Sequence, residues 1–270
     1  LNLIKSIIKN VDYLIHLACI SNDPSFELNP NLGKSINLKA FEPLVQISKN
    51  CKVKRFIFAS SSSVYGIKKS KDVHEKMSLR PLTDYSKFKA DCEKILNSYM
   101  SNDFITTTIR PSTVCGYARR QRLDLVVNIL TNHAFHNREI KVFGGKQLRP
   151  NIHINDMVNS YLHLLTSDKD KINGEIFNVG FKNQSVNDLA NDVREVLGHD
   201  VEIKQTETND NRYYHVSSEK IYKLIGFAPK YSVKDAVLDL KEAFDKKLLT
   251  NTFENEMYFN IKRMQSINLT

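Results

Sequence analysis

The chain has 270 residues, 41% of them hydrophobic and 26% charged, and a formal net charge of +9. That composition excludes a disordered polymer, and no stretch approaches the roughly 18 consecutive apolar residues of a membrane span. No secretory leader pattern opens the chain, so a cytoplasmic location and no membrane partner are expected.

The basic residues are scattered. Lys68, Lys69 and Lys71 form the densest group, without the interleaved aromatics of a single-strand binder. Nucleic acid is therefore not the expected partner, and a phosphate-bearing small molecule is. Cys19, Cys51, Cys92 and Cys115 show no CxxC spacing and no accompanying His cluster. They read as free thiols of a reducing compartment, with no metal site.

In chain order, LNLIKSIIKN places Leu3, Ile4, Ile7 and Ile8 at helical spacing. VDYLIHLA (11–18) is a short apolar run of the buried parallel type, followed by a polar loop, SNDPSFELNPN. Residues 32–50 form a helix. VKRFIFA (53–59) is a second buried strand, and four serines end it. Thr83 and Asp84 suit the N-cap of a helix over 85–100. FITTTIR (104–110) is a third strand, rich in β-branched residues. Further on, helices fit 123–137 and 156–166, and strands fit 140–143, 152–154 and 175–179. Ser185 caps a helix ending near Gly198, and 201–204 is an edge strand. The pairs Ser217-Ser218 and Ser232-Val233 open two last helices. Strand–helix alternation with long connections means an α/β fold with parallel strands.

Tyr85 and Lys89 in YSKFK stand at i, i+4, on one helix face. A phenol titrates near about 10, and a cation one turn away favours its phenolate. The hydroxyls of Ser61, Ser62 and Ser63 lie at the C-terminal end of a parallel strand, the edge where open α/β sheets bind ligands. A Ser donor, a Tyr acid/base and a Lys make a proton-transfer set for oxidising an alcohol or reducing a ketone. YxxxK alone is a weak signal, since such pairs occur in many helices with Tyr packed and Lys solvated. The serine-ended strand and the cap in front lend it weight.

These segments resemble the extended short-chain dehydrogenase/reductase family, in particular its NAD-dependent nucleotide-sugar epimerases and dehydratases. HLACISNDP (16–24), Asn37, FIFASSSSVYG, YSKFK, IRPSTVCGY (109–117), VFGGKQLRPNIHINDM (142–157), FNVG (177–180), DNRYYHVSSEKI and LGFAPKYSVKDAV carry the likeness. The resemblance implies a Rossmann-like, doubly wound parallel sheet, present here from its fourth strand onward, with a smaller C-terminal α/β substrate lobe. Residues 1–115 would belong to the NAD-binding domain, with a returning strand near 175–180. Residues 116–250 would mainly form the substrate lobe, and 251–270 a surface tail.

It further implies a nucleoside-diphosphate sugar as substrate, NAD as cofactor and a homodimer. Ser61 becomes the catalytic hydroxyl, Tyr85 the base, and Lys89 the residue that holds the nicotinamide ribose and lowers the Tyr85 pKa. Leu17, Ala18, Ser60 and Pro111 would join Tyr85 and Lys89 around the cofactor. Ser62, Ser63, Thr113, Arg149 and Arg212 would face the substrate, the two arginines at its diphosphate. Asn22 and Asp23 stay open between sugar contacts and turn formers before Pro24. Ser62 and Ser63 occupy positions where the family's sugar 4,6-dehydratases carry an Asp-Glu pair. That favours epimerisation through a 4-keto sugar. Dehydration, decarboxylation, reduction and a non-catalytic role are the alternatives. Thr113 and Cys115 depart from the family's usual Asn and Tyr, which leaves the sugar open.

The family's Gly-rich βα turn, whose amides hold the NAD pyrophosphate, does not occur in these residues. Two readings remain, a fragment of a longer product or a diverged remnant, and the retained Ser61, Tyr85 and Lys89 favour the first. On either reading the 270-residue chain alone binds NAD weakly or not at all. A calorimetric titration showing micromolar affinity would contradict this.

Overall fold

The structure, a computed structural model, describes residues 2–68, 70, 72–208 and 215–269. Helix α1 (Asn2–Ile8) leads into β1 (Tyr13–His16). Then α2 (Asp23–Leu28) and α3 (Pro30–Lys34) pass through a π-helical turn, Ser35–Lys39, into α4 (Phe41–Asn50). Next come β2 (Arg55–Ala59), α5 (Asp84–Ser98), β3 (Ile105–Pro111), β4 (Thr113–Cys115), α6 (Val126–Asn137), β5 (Glu139–Phe143) and β6 (Leu148–His153). The chain continues through α7 (Ile154–Thr166), α8 (Lys169–Ile172), β7 (Glu175–Val179), β8 (Lys182–Ser185), α9 (Val186–Leu197) and β9 (Glu202–Thr206). Helices α10 (Glu219–Ile225), α11 (Val233–Asp245) and α12 (Asn260–Ser266) close it.

The main sheet has the order β1-β2-β3-β7, parallel throughout. Strand β2 shows why the run reads as continuously apolar. Phe56 and Phe58 pack on one face with Phe41 and Val45 of α4 and Leu96 of α5. Ile57 points to the other face, among Met157, Tyr161 and Leu164 of α7 and Phe177 of β7. Helices on both faces bury both sets of side chains, which is the doubly wound arrangement. Around β4-β6-β8 and β5-β9, helices α6, α9 and α11 enclose a second core of Val127, Leu130, Leu189, Val193 and Val237.

Three helices begin with a capping box: Thr83 with Ser86, Ser185 with Asp188, and Ser232 with Asp235. Ser218 precedes α10 without a side-chain bond. The stretch expected to be a polar loop after β1 is instead α2 and α3. Asn22 accepts from the Ser25 N–H and Asn29 from the Leu32 N–H, each with a proline in the first turn. Proline suits a helix start, since the N–H it lacks would be unpaired there. The helix expected over 32–50 is broken by the π-helical turn. Strands β4 and β8 were not apparent in the sequence, because they are short and polar and exist by pairing with β6. Residues 251–270, expected as a surface tail, carry a 3₁₀ turn, Glu256–Tyr258, and α12, with Thr252 and Met264 buried.

A buried polar network joins the elements that carry the candidate site. On α5, Glu93 accepts two bonds from Arg110 of β3, Nε to Oε1 at 3.0 Å and Nη2 to Oε2 at 2.6 Å. The two side chains are only 4% and 3% exposed. Ser60, at the tip of β2, donates its hydroxyl to the same carboxylate. Arg110 also donates to Tyr65 Oη at 2.7 Å, and Tyr65 donates to Asn178 Oδ1 of β7 at 2.8 Å. Removing one partner strands a buried charge, whereas removing both does not. Arg110→Met is therefore expected to cost about 3–5 kcal/mol. Arg110→Met/Glu93→Leu should recover part of that loss, and urea unfolding of both variants measures it.

Candidate active site

The C-terminal ends of β2 and β3 open into a cavity of about 950 Å³. Strand β2 stops at Ser60, and Ser61 takes an extended conformation before a 3₁₀ turn, Ser62–Tyr65. Its Oγ accepts from the Ser63 N–H at 3.1 Å and lies 2.9 Å from the Ser63 hydroxyl. Gly66 ends the turn at φ +63°, and a Cβ there would sit 1.9 Å from the Arg80 carbonyl oxygen. A side chain at 66 would displace the serine-bearing tip.

Tyr85 stands in the first turn of α5, buried beside Phe26, and lines the cavity together with Ser61. Thr83 caps the helix and donates to Asp23 Oδ1, so the post-β1 wall and α5 are joined at the point where Tyr85 enters. Burial, reinforced by Cys19 and Asp23, holds the Tyr85 phenol well above its ordinary value, while Ser61 and the Arg122 charge act the other way. The expected lowering by Lys89 is not found. The Lys89 ammonium donates to the Ala59 carbonyl at 2.6 Å and sits 4.8 Å from the centre of the Phe58 ring and 5.8 Å from that of Tyr85. Desolvation of the phenol outweighs a cation placed there.

Ser60, Ser61, Ser62, Ser63, Tyr85, Pro111, Thr113 and Arg149 all border the cavity. The Ser60 hydroxyl itself is turned inward to Glu93. Arg149 donates to the Leu148 carbonyl at 3.1 Å. Lys89, which is buried, and Leu17 and Ala18, exposed at the end of β1, lie outside its lining. Arg212 lies outside the described residues. Asn22 caps α2 and, with Asp23, also lines the cavity. Asn37 bonds both backbone polar groups of Ile20, each at 2.9 Å, and so fixes the loop leaving β1. Cys115 does not present its thiol as a ligand group. The thiol donates to the Ile152 carbonyl, and burial pushes it up to about 12.

The sequence reading missed the far wall, Arg120, Arg122 and Asp124. Their signal was present as the charge-dense RRQRLD directly after the IRPSTVCGY segment. Arg122 Nε donates to Asp124 Oδ1 at 2.8 Å. Arg120, Arg122, Lys141 and Arg149 face the cavity against two carboxylates, Asp23 and Asp124. That surplus of positive charge suits an anionic ligand.

His16, at the end of β1, stacks against Phe58 at 6.0 Å. Burial first, and then the Lys89 charge, lower its pKa to about 4. Folding thus excludes a proton from this ring. The stability it contributes is whole above pH 6.5 and is lost as the pH falls towards 4. An NMR titration should place the His16 midpoint near 4. In Lys89→Met that midpoint should move upward.

Residues 2–180 match the NAD dependent epimerase/dehydratase family. An uncharacterized UDP-glucose epimerase, YtcB, of Bacillus subtilis is 29% identical over 242 residues, covering 86% of this chain and 74% of that protein. The human dTDP-D-glucose 4,6-dehydratase is 29% identical over 243 residues, covering 85% of this chain and 67% of the human one. Among solved structures, a UDP-glucose 4-epimerase of Thermotoga maritima with UDP-glucose superposes with a TM-score of 0.82 at 24% identity. The match covers 92% of this chain and 82% of that one. At that identity the structural likeness speaks for the fold.

Proposed function

As the chain belongs to the NAD dependent epimerase/dehydratase family, we propose that it is a nucleoside-diphosphate-sugar 4-epimerase working through a transient 4-keto sugar. The observation that carries this reading is that Ser61 and Tyr85 line one cavity together with four cationic side chains and two carboxylates. A diphosphate supplies the missing negative charge, and Arg149 is a suitable fork for its oxygens. The cavity volume falls within the range of small-molecule sites.

NAD fits part of this chain. Exposed Leu17 and Ala18, with the strand ends at Ser60 and Pro111, offer a ledge for the nicotinamide end, and Lys89 lies beneath it. The glycine-rich turn for the pyrophosphate end is not among the 270 residues. When bound, NAD supplies the acceptor and donor of hydride. The side chains do the proton work. In its ionised form Tyr85 takes the proton of the sugar hydroxyl and returns it after the keto sugar has turned its other face. Ser61 holds the same oxygen. Ser61 and the Arg122 charge favour that ionised form, and burial opposes it.

Dehydration needs an acid and a base beyond this pair. Ser62 and Ser63 carry neither, and both cavity carboxylates are engaged: Asp23 accepts from Thr83, and Asp124 from Arg122. This favours epimerisation over the elimination performed by the dehydratase relatives.

The test is a panel of UDP- and dTDP-hexoses incubated with NAD and the full-length gene product that contains this chain, with products read by mass spectrometry and chromatography. The expected product has unchanged mass and inverted C4. Loss of water or carbon dioxide would replace this reading with a dehydratase or decarboxylase. Tyr85→Phe should lower turnover by about 100-fold or more. Undiminished turnover would remove Tyr85 from the chemistry.

A further inference from the structure

Two walls of the cavity come from distant parts of the chain. One is the loop after β1, Ser21 to Pro24. The other is the segment Arg120 to Asp124. The C-terminal segment, beyond the residues that match the family, crosses between them. Tyr258 and Phe259 pack against the buried cluster of Leu123, Leu240 and Phe244, and the Tyr258 carbonyl accepts from the Leu123 N–H at 2.9 Å. At the next residue the chain enters α12, which runs alongside α2.

Asn260 turns its backbone N–H and both polar atoms of its side chain to these walls. Its backbone N–H donates to Asp124 Oδ2 at 3.1 Å. Its Oδ1 accepts from Arg120 Nη2 at 3.0 Å. Its Nδ2 donates to the Ser21 carbonyl at 3.3 Å and the Ser21 hydroxyl at 3.1 Å. Asp124 then holds Arg122 through its other oxygen, and the Arg122 charge reaches Tyr85. Asn260 itself does not border the cavity.

We propose that Asn260 is a positioning residue of this site, a clip that holds the Ser21 wall and the Arg120–Asp124 wall in register for an anionic nucleotide sugar. The proposal rests on the functional reading above for the identity of the ligand, but not for the clip. A carboxamide is suited to the task because it offers a donor and an acceptor on one short, rigid group. The Asp124 contact comes from the backbone, so a side-chain change releases Ser21 and Arg120 while leaving the helix start intact. Asp23, on the Ser21 wall, is joined to α5 through Thr83, so that wall leads to the helix that carries Tyr85.

The test compares the full chain with Asn260→Ala and, as a control, Ile261→Ala, an exposed position one residue further along α12. Hydrogen exchange is followed at residues 20–23 and 119–125 without ligand, and UDP-glucose is titrated by calorimetry. In Asn260→Ala, exchange in both walls should quicken by about tenfold and UDP-glucose should bind about tenfold more weakly, with the melting temperature unchanged. Ile261→Ala should change neither quantity. Unchanged exchange in Asn260→Ala would overturn the clip. So would looser walls with undiminished affinity, or an equal loss in Ile261→Ala, which would mark simple fraying of the segment. If wild-type protein bound no UDP-glucose while exchange responded as expected, the clip would stand and the choice of UDP-glucose as ligand would fall.

Discussion

The buried pair Arg110–Glu93 is the constraint on which the rest of this structure depends. Two ionised groups almost without access to water survive only when each lone pair and proton finds a partner. That requirement places β3, α5, the tip of β2, the 3₁₀ turn and β7 in one relative arrangement, since each supplies a member of the network. Glu93 lies one helical turn beyond Lys89 and two beyond Tyr85 on the same face of α5. Fixing Glu93 therefore fixes the azimuth of the helix, and with it the direction in which Tyr85 points. Ser60 is drawn inward by the same carboxylate, which leaves Ser61 as the first serine free to turn to the cavity.

Around this frame the electrostatics are unequal. Beneath the cavity, burial dominates: His16 is held neutral, Tyr85 is held as the phenol, and the Lys89 charge is taken up by a backbone carbonyl. Around the cavity, four cations outnumber two carboxylates, and those carboxylates are already engaged. An apolar, hydroxyl-edged floor beside a cationic wall is what a sugar joined to a diphosphate requires. Under the proposed function, the sugar's hydroxyls would meet Ser61 and Tyr85 and its charge would meet the arginines. The C-terminal segment ties the cationic wall to the loop after β1, so the cavity is closed by parts of the chain far apart in sequence.

By itself the sequence determined the parts governed by near neighbours. Apolar runs bounded by polar loops identified β1, β2, β3 and β7, because strands buried on both faces must be continuously apolar. Thr83, Ser185 and Ser232 announced their helices, because a cap is a bond between residues three apart. Tyr85 was picked out for the same reason, through its spacing from Lys89, whereas the choice of Ser61 and of Arg149 came from the family resemblance. Tertiary structure alone decided what depends on distant groups. It turned an Asn-Pro-rich loop into two helices and gave β4 and β8 their partner. It directed Lys89 to Ala59 rather than to Tyr85, because a buried ammonium takes the nearest oxygen that compensates its desolvation. It brought Arg122 to the cavity and set Asn260 between two of its walls. The contacts of Asn260 with Arg120, Asp124 and Ser21 span more than a hundred residues of chain, and only the packed fold brings such groups together.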